Sequence, residues 1–139
     1  MIIHASAVAF ADQGLLILGQ SGSGKSGLAL KLMALGARLV ADDWVKLERS
    51  SAGTLRASAP ERLAGLIEAR FVGLLKVEPL ESARIRLAVD LEQAPAARLP
   101  QKGHIEFMEC EVELISGRDV PNIEAILAVL LRSGSSTQY

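Results

Sequence analysis

Apolar positions change period along the chain, and the changes mark its elements. Residues 2–10 and 15–18 are largely apolar and are parted by Asp12-Gln13-Gly14, a turn signal. This opening predicts two strands, the second running directly into a glycine-rich stretch. From Ser26 the spacing becomes helical, with Leu28, Leu32 and Leu35 recurring and Gly36 standing where a left-handed cap ends a helix. Arg38-Leu39-Val40-Ala41 then predicts a strand that closes on two aspartates, completing a strand, loop, helix, strand unit of the α/β type.

Beyond that unit the pattern predicts a hairpin over 47–57, turning at Ser50-Ser51-Ala52-Gly53, and a half-buried strand over 84–91. GLIEARFVGLLKV, residues 65–77, fits neither period. Residues 93–103 are polar and contain Pro95 and Pro100, which predicts an exposed loop and makes it the candidate for disorder. EVELI, 111–115, predicts another strand, and Pro121 is placed as the first residue of a closing helix with Ile123, Ile126, Leu127 and Leu130 on its apolar face. The expected organisation is one α/β domain over 1–132 and a tail over 133–139 that frays.

Composition narrows the class. In 139 residues, half of them apolar, 15 Lys and Arg balance 16 Asp and Glu for a net charge of -1, which describes one compact domain with no basic footprint for nucleic acid or an anionic membrane surface. Cys110 is the only cysteine, so no internal disulfide forms, and a small buried hydrophobe is the reading it fits. The opening MIIHASAVAFA has the apolar run of a signal sequence but lacks a basic start. The reading is therefore a cytoplasmic protein.

Gly19-Gln20-Ser21-Gly22-Ser23-Gly24-Lys25-Ser26 satisfies G-x-x-x-x-G-K-[ST] after an apolar strand and before a helix, the context such a loop requires, and Gly27 extends it into the helix. Glycines let successive N–H groups point at phosphate oxygens, and the helix N-terminus adds partial positive charge. Lys25 then reaches the terminal phosphates, and the Ser26 hydroxyl ligates magnesium. The chain has no D-x-x-G, and its single asparagine, Asn122, forms no base-reading N-K-x-D, so a GTP switch is disfavoured. Asp42 and Asp43 close the strand after the helix, where a doubly wound sheet presents groups to a ligand. One is free to hold magnesium through water and the other to face the phosphoryl acceptor, since neighbours on a strand point to opposite sides. His4, taken alone, reads as a packed or surface histidine, and Glu68 with Arg70 reads as an ion pair within an apolar stretch.

Taken together, these residues resemble the catalytic domain of the HPr kinase/phosphorylase family. IIHASAV with His4, GLLILGQSGSGKSGLAL, GARLVADDWV and IEARFVGL with Glu68, Arg70 and Gly73 are similar to that family's segments, over roughly residues 2–91. The resemblance implies a P-loop domain built on a central mixed β-sheet flanked by helices. It implies ATP and Mg2+ as cofactors and transfer to a serine of HPr, with phosphate able to reverse the reaction. It makes Asp42 the catalytic base, with His4 and Lys25 beside it, and gives Ser26, Asp43 and Glu68 to the metal. It further implies a hexamer, and the chain reads as a short form without an N-terminal regulatory domain. Ala69 and Phe71 stand where the family signature has Ile and Gly, VEPLESARIR lacks the usual glycine-rich loop, and Ser116-Gly117-Arg118-Asp119 is what is left of a basic R-P-G-R-N element. The competing readings are a nucleotide-sensing regulator with little turnover and a small-molecule P-loop kinase.

Overall fold

A computed structural model describes residues 1–134. The strands are β1 (Ile2–His4), β2 (Ser6–Phe10), β3 (Gln13–Leu18), β4 (Arg38–Ala41), β5 (Trp44–Arg49), β6 (Leu55–Ser58), β7 (Leu66–Ala69), β8 (Gly73–Lys76), β9 (Ala83–Asp90), β10 (Gly103–Phe107) and β11 (Cys110–Ser116). The helices are α1 (Lys25–Ala34) and α2 (Ile123–Ser133), with one 3-10 turn at Glu61–Leu63.

The central sheet is mixed and runs β1-β5-β6-β9-β3-β2-β4. It forks at β9, whose start pairs with β6 at Ala83 and Arg84 and whose end runs parallel to β11 from Leu87 to Asp90. β3 and β9 are also parallel, and β10 covers β11 as an antiparallel edge. Because neighbouring residues of a strand face opposite sides, β3 sends Leu15 and Ile17 into one core and Leu16 into the other. Both helices lie over the first face, where Leu28, Ala29 and Leu32 of α1 and Leu127, Ala128 and Leu131 of α2 meet Val8, Leu87 and Val89. The second face is closed by strands: Val45, Leu47, Leu55, Ala57 and Val112 pack against Ala7, Leu16 and Ala88.

Several sequence expectations shift. The strand expected over 2–10 divides at the buried Ala5, so that β1 pairs with β5 while β2 pairs with β3 and β4. The turn falls on Ala11 and Asp12, leaving Gln13 and Gly14 inside β3. Gly14 is needed for close approach there, since a Cβ would collide with the Arg84 carbonyl. Residues 65–77 form the β7–β8 hairpin, a sheet of its own, with the buried Ile67 in the core beneath α1. α2 is capped by Asn122 at φ 59 and starts after Pro121, and its buried stripe omits the exposed Ile126. Most of 93–103 lacks regular structure, but Gly103 already belongs to β10, a strand that the polar composition concealed. Of the expected tail, Ser133 completes α2 and Gly134 caps it, while 135–139 lie outside the described residues. Among the described residues no helix is long and apolar enough to cross a membrane.

Candidate active site

The glycine loop of 19–26 leaves β3 and delivers its last two residues into α1. Gly24, at φ 100, is the N-cap of that helix, a left-handed position that glycine takes without steric cost. The turn leaves the first-turn N–H groups of α1 without helical partners at the mouth of a pocket of about 280 Å³. Lys25 is only 7% exposed, and its Nζ donates to the carbonyls of Gly19 at 2.7 Å and Gln20 at 2.9 Å. The lysine is thus folded back on its own loop, and an anion entering the pocket competes with those two carbonyls for it.

The two aspartates have separate surroundings. Asp42, 6% exposed, accepts the Ser6 hydroxyl at 2.6 Å and the Ser26 hydroxyl at 2.8 and 3.0 Å, and takes the Glu68 backbone N–H at 3.2 Å. Both of its oxygens are occupied by donors. Asp43 has a side chain 63% exposed and lines the pocket, where its Oδ1 accepts from His4 Nε2 at 2.8 Å. A tight turn separates them: the Trp44 N–H donates to the Asp42 carbonyl at 2.7 Å, and Asp43 sits at φ 68. Such a three-residue turn is a strained conformation, held here by the pairing of β1 with β5 and by the Ala5 N–H on the Asp43 carbonyl. The alternation expected of an extended strand is replaced by a turn that achieves the same division. The Trp44 ring leans on His4, with centroids 5.1 Å apart, and limits the directions the imidazole can take.

His4, Ser21, Gly22, Gly24, Lys25, Ser26, Gly27, Asp43, Glu68 and Arg70 all line this pocket, so residues separated by up to 66 positions converge on it. Gly19, Gln20 and Ser23 form the back of the loop, and Asp42 lies behind Ser26, away from the pocket lining. The Asp42 carboxylate, expected to act as the base, thus meets three donors, the hydroxyls of Ser6 and Ser26 and the Glu68 N–H. Asp43, expected in the metal group with Ser26 and Glu68, lines the same pocket as both and meets His4. Ser6 was missed. Its one signal in the sequence is a lone hydroxyl in an apolar strand, and only the fold places it under Asp42.

A sequence profile of the HPr Serine kinase C-terminal domain matches residues 1–129. The HPr kinase/phosphorylase of Caldanaerobacter subterraneus subsp. tengcongensis is 42% identical over 91% of this chain, which covers 47% of that protein. The HPr kinase/phosphorylase of Caldicellulosiruptor bescii is 44% identical over 64% of this chain and 31% of its own length. This chain thus spans about a third to a half of these two relatives. The solved structure of the Hpr(Ser) kinase/phosphatase from Coxiella burnetii superposes with a TM-score of 0.82 at 25% identity, covering 96% of this chain and 95% of the other.

Proposed function

The chain belongs to the HPr Serine kinase C-terminal domain family, and from that premise we propose that it transfers the γ-phosphoryl group of ATP to a serine hydroxyl of HPr or an HPr-like protein. The observation that carries the proposal is the division of the aspartates, one buried on Ser26 and the other open beside His4. A phosphoryl transferase needs a carboxylate to organise the nucleotide side and another to receive the acceptor's proton.

In this reading the N–H groups at the start of α1 and the Lys25 ammonium bind the phosphates. Ser26 and Glu68 offer oxygen donors of the kind magnesium takes, with Asp42 fixing the Ser26 hydroxyl from behind. Among the described residues no three His, Cys, Asp or Glu side chains cluster as a self-sufficient metal site, and magnesium commonly completes its shell with phosphate oxygens and water. Bound magnesium would neutralise charge on the phosphates during transfer. Asp43 accepts the serine proton as the serine oxygen bonds to the γ-phosphorus and the bond from that phosphorus to the leaving nucleoside diphosphate breaks. His4 holds the Asp43 carboxylate in place and balances its charge when protonated. With phosphate as acceptor, Asp43 returns the proton to the serine oxygen.

Exchanging the two aspartates in turn tests the assignment. Asp43→Asn retains ATP binding by calorimetry and loses about 10²- to 10⁴-fold in phosphoryl transfer, the usual worth of a positioned general base. Asp42→Asn weakens magnesium-dependent ATP binding. If Asp43→Asn transfers phosphate at the wild-type rate, Asp43 is not the base.

A further inference from the structure

The Ser6 hydroxyl is the one polar side-chain group of β2, and the residue is fully buried. Alanine fills the neighbouring buried positions 5, 7 and 9, so packing alone does not explain a hydroxyl whose burial is costly unless it is bonded. Its direction follows from the sheet. Ser6 shares a face with Val8, two residues on, and is paired with Ile17 of β3; both of these pack in the core on the helix side. Asp42 reaches the same side through a bulge. β2 pairs Ala7 with Ala41 but Val8 with Leu39, which leaves Val40 as an extra residue on β4. Val40 and Ala41 thus both face the core on the strand side, and Asp42 turns to the helix side, where Ser26 lies in the first turn of α1. Strict alternation from Leu39 would have put Asp42 on the other face.

An ionised carboxylate only accepts, so the Ser6 and Ser26 hydroxyls both direct their protons to Asp42, at 2.6 and 2.8 Å on the same oxygen. The Ser26 oxygen keeps its lone pairs for a cation in the pocket that it lines. Of the three donors on Asp42, Ser26 is the one being aimed, and the Glu68 N–H comes from β7, in the separate two-stranded sheet. Ser6 is the donor rooted in a strand paired on both sides. We propose that Ser6 is a positioning residue for the magnesium site: its hydroxyl fixes the Asp42 carboxylate, which in turn holds the Ser26 hydroxyl with its lone pairs open to the metal. Without Ser6 the carboxylate is free to turn about its Cβ–Cγ bond, and the Ser26 hydroxyl loses its orientation. This rests on the magnesium and nucleotide reading above and deepens it by naming what holds the ligand in place.

The test measures ATP affinity by calorimetry, in magnesium and in EDTA, for the wild-type chain, Ser6→Ala, Ser26→Ala and the double variant. The expected result is that magnesium tightens ATP binding to the wild type and that Ser6→Ala loses about tenfold or more of that gain, the usual effect of removing a group behind a metal ligand. Its ATP affinity in EDTA stays at the wild-type level, which also shows that the variant is folded. In the Ser26→Ala chain, Ser6→Ala removes no further part of the gain, because it acts through Ser26. Ser6→Cys offers a weaker donor in a similar volume; its gain falls between those of the wild type and Ser6→Ala, and it carries the comparison if the alanine variant does not fold. A magnesium gain that survives the substitution, an equal loss in magnesium and in EDTA, or an undiminished effect in the Ser26→Ala chain would overturn the role of Ser6 and leave the proposed function standing. A wild-type chain that binds no ATP in either condition, or that gains nothing from magnesium, overturns the nucleotide and metal reading and this inference with it.

Discussion

At the scale of single residues, two positions, one in the pocket and one beside its Arg70, hold an L-residue in a left-handed conformation. Asp43 at φ 68 is one, and its strain is what sends adjacent carboxylates to different places. The tandem Asp-Asp was visible in the sequence, and so was its need for divided roles. Which aspartate is buried and which is open was hidden, because it depends on Ser6 and the Glu68 N–H reaching Asp42 across 36 and 26 positions. Phe71 is the other, at φ 72 on the tip of the β7–β8 hairpin, 96% exposed, under the Arg70 guanidinium at 5.2 Å. It stands where the resembling signature has glycine, so the substitution noticed in the sequence falls on a backbone that glycine would adopt freely. Phe71→Gly is accordingly expected to be more stable than Phe71→Ala by about 1 kcal/mol in urea unfolding, since both lose the ring and only Ala retains the strain.

At the scale of elements, the strand, loop, helix and strand of residues 13–41 were legible because each signal was local: an apolar run, a glycine motif, a leucine period and a C-terminal glycine. The places where the reading failed are settled by partners distant in sequence. β1 is separated from β2 because it pairs with β5, and the β2–β3 turn is fixed from outside by Asp12. Asp12 accepts from the Arg56 guanidinium of β6 and from the Arg84 N–H of β9, tying a hairpin turn to two further strands. The Arg56 hydrogen bond, aided by the Arg84 N–H, holds the Asp12 carboxyl below its ordinary value of 3.8 despite some cost of burial. A depressed folded-state pKa gives stability that is present above the unfolded value and lost as pH falls through the folded one. Asp12→Asn should thus cost about 1 kcal/mol or less at pH 7, because the pair is largely solvent-screened. The gap to wild type in thermal unfolding should close below about pH 4.

At the scale of the whole molecule, one sheet carries two cores, and the functional edge is the line along which both end. Leu15 and Leu16 are adjacent and fully buried on opposite faces, so Leu15→Ala strips the helix side and Leu16→Ala the strand side. Each is expected to cost about 2–5 kcal/mol in denaturant unfolding, and the loss should appear as one cooperative transition because β3 belongs to both cores. The α/β class was readable from periodicity, whereas the fork at β9 and the closure of the second face by strands were not, since nothing in an apolar run names its neighbour. The central claim is that this edge transfers phosphate to a protein serine. The measurement that tests it most directly is incubation of the purified chain with Mg-ATP and HPr, followed by intact-mass and peptide mass spectrometry, with Lys25→Ala alongside. The account predicts a single phosphoserine on HPr that is absent with Lys25→Ala; unmodified HPr in the presence of a chain that still binds ATP would contradict it.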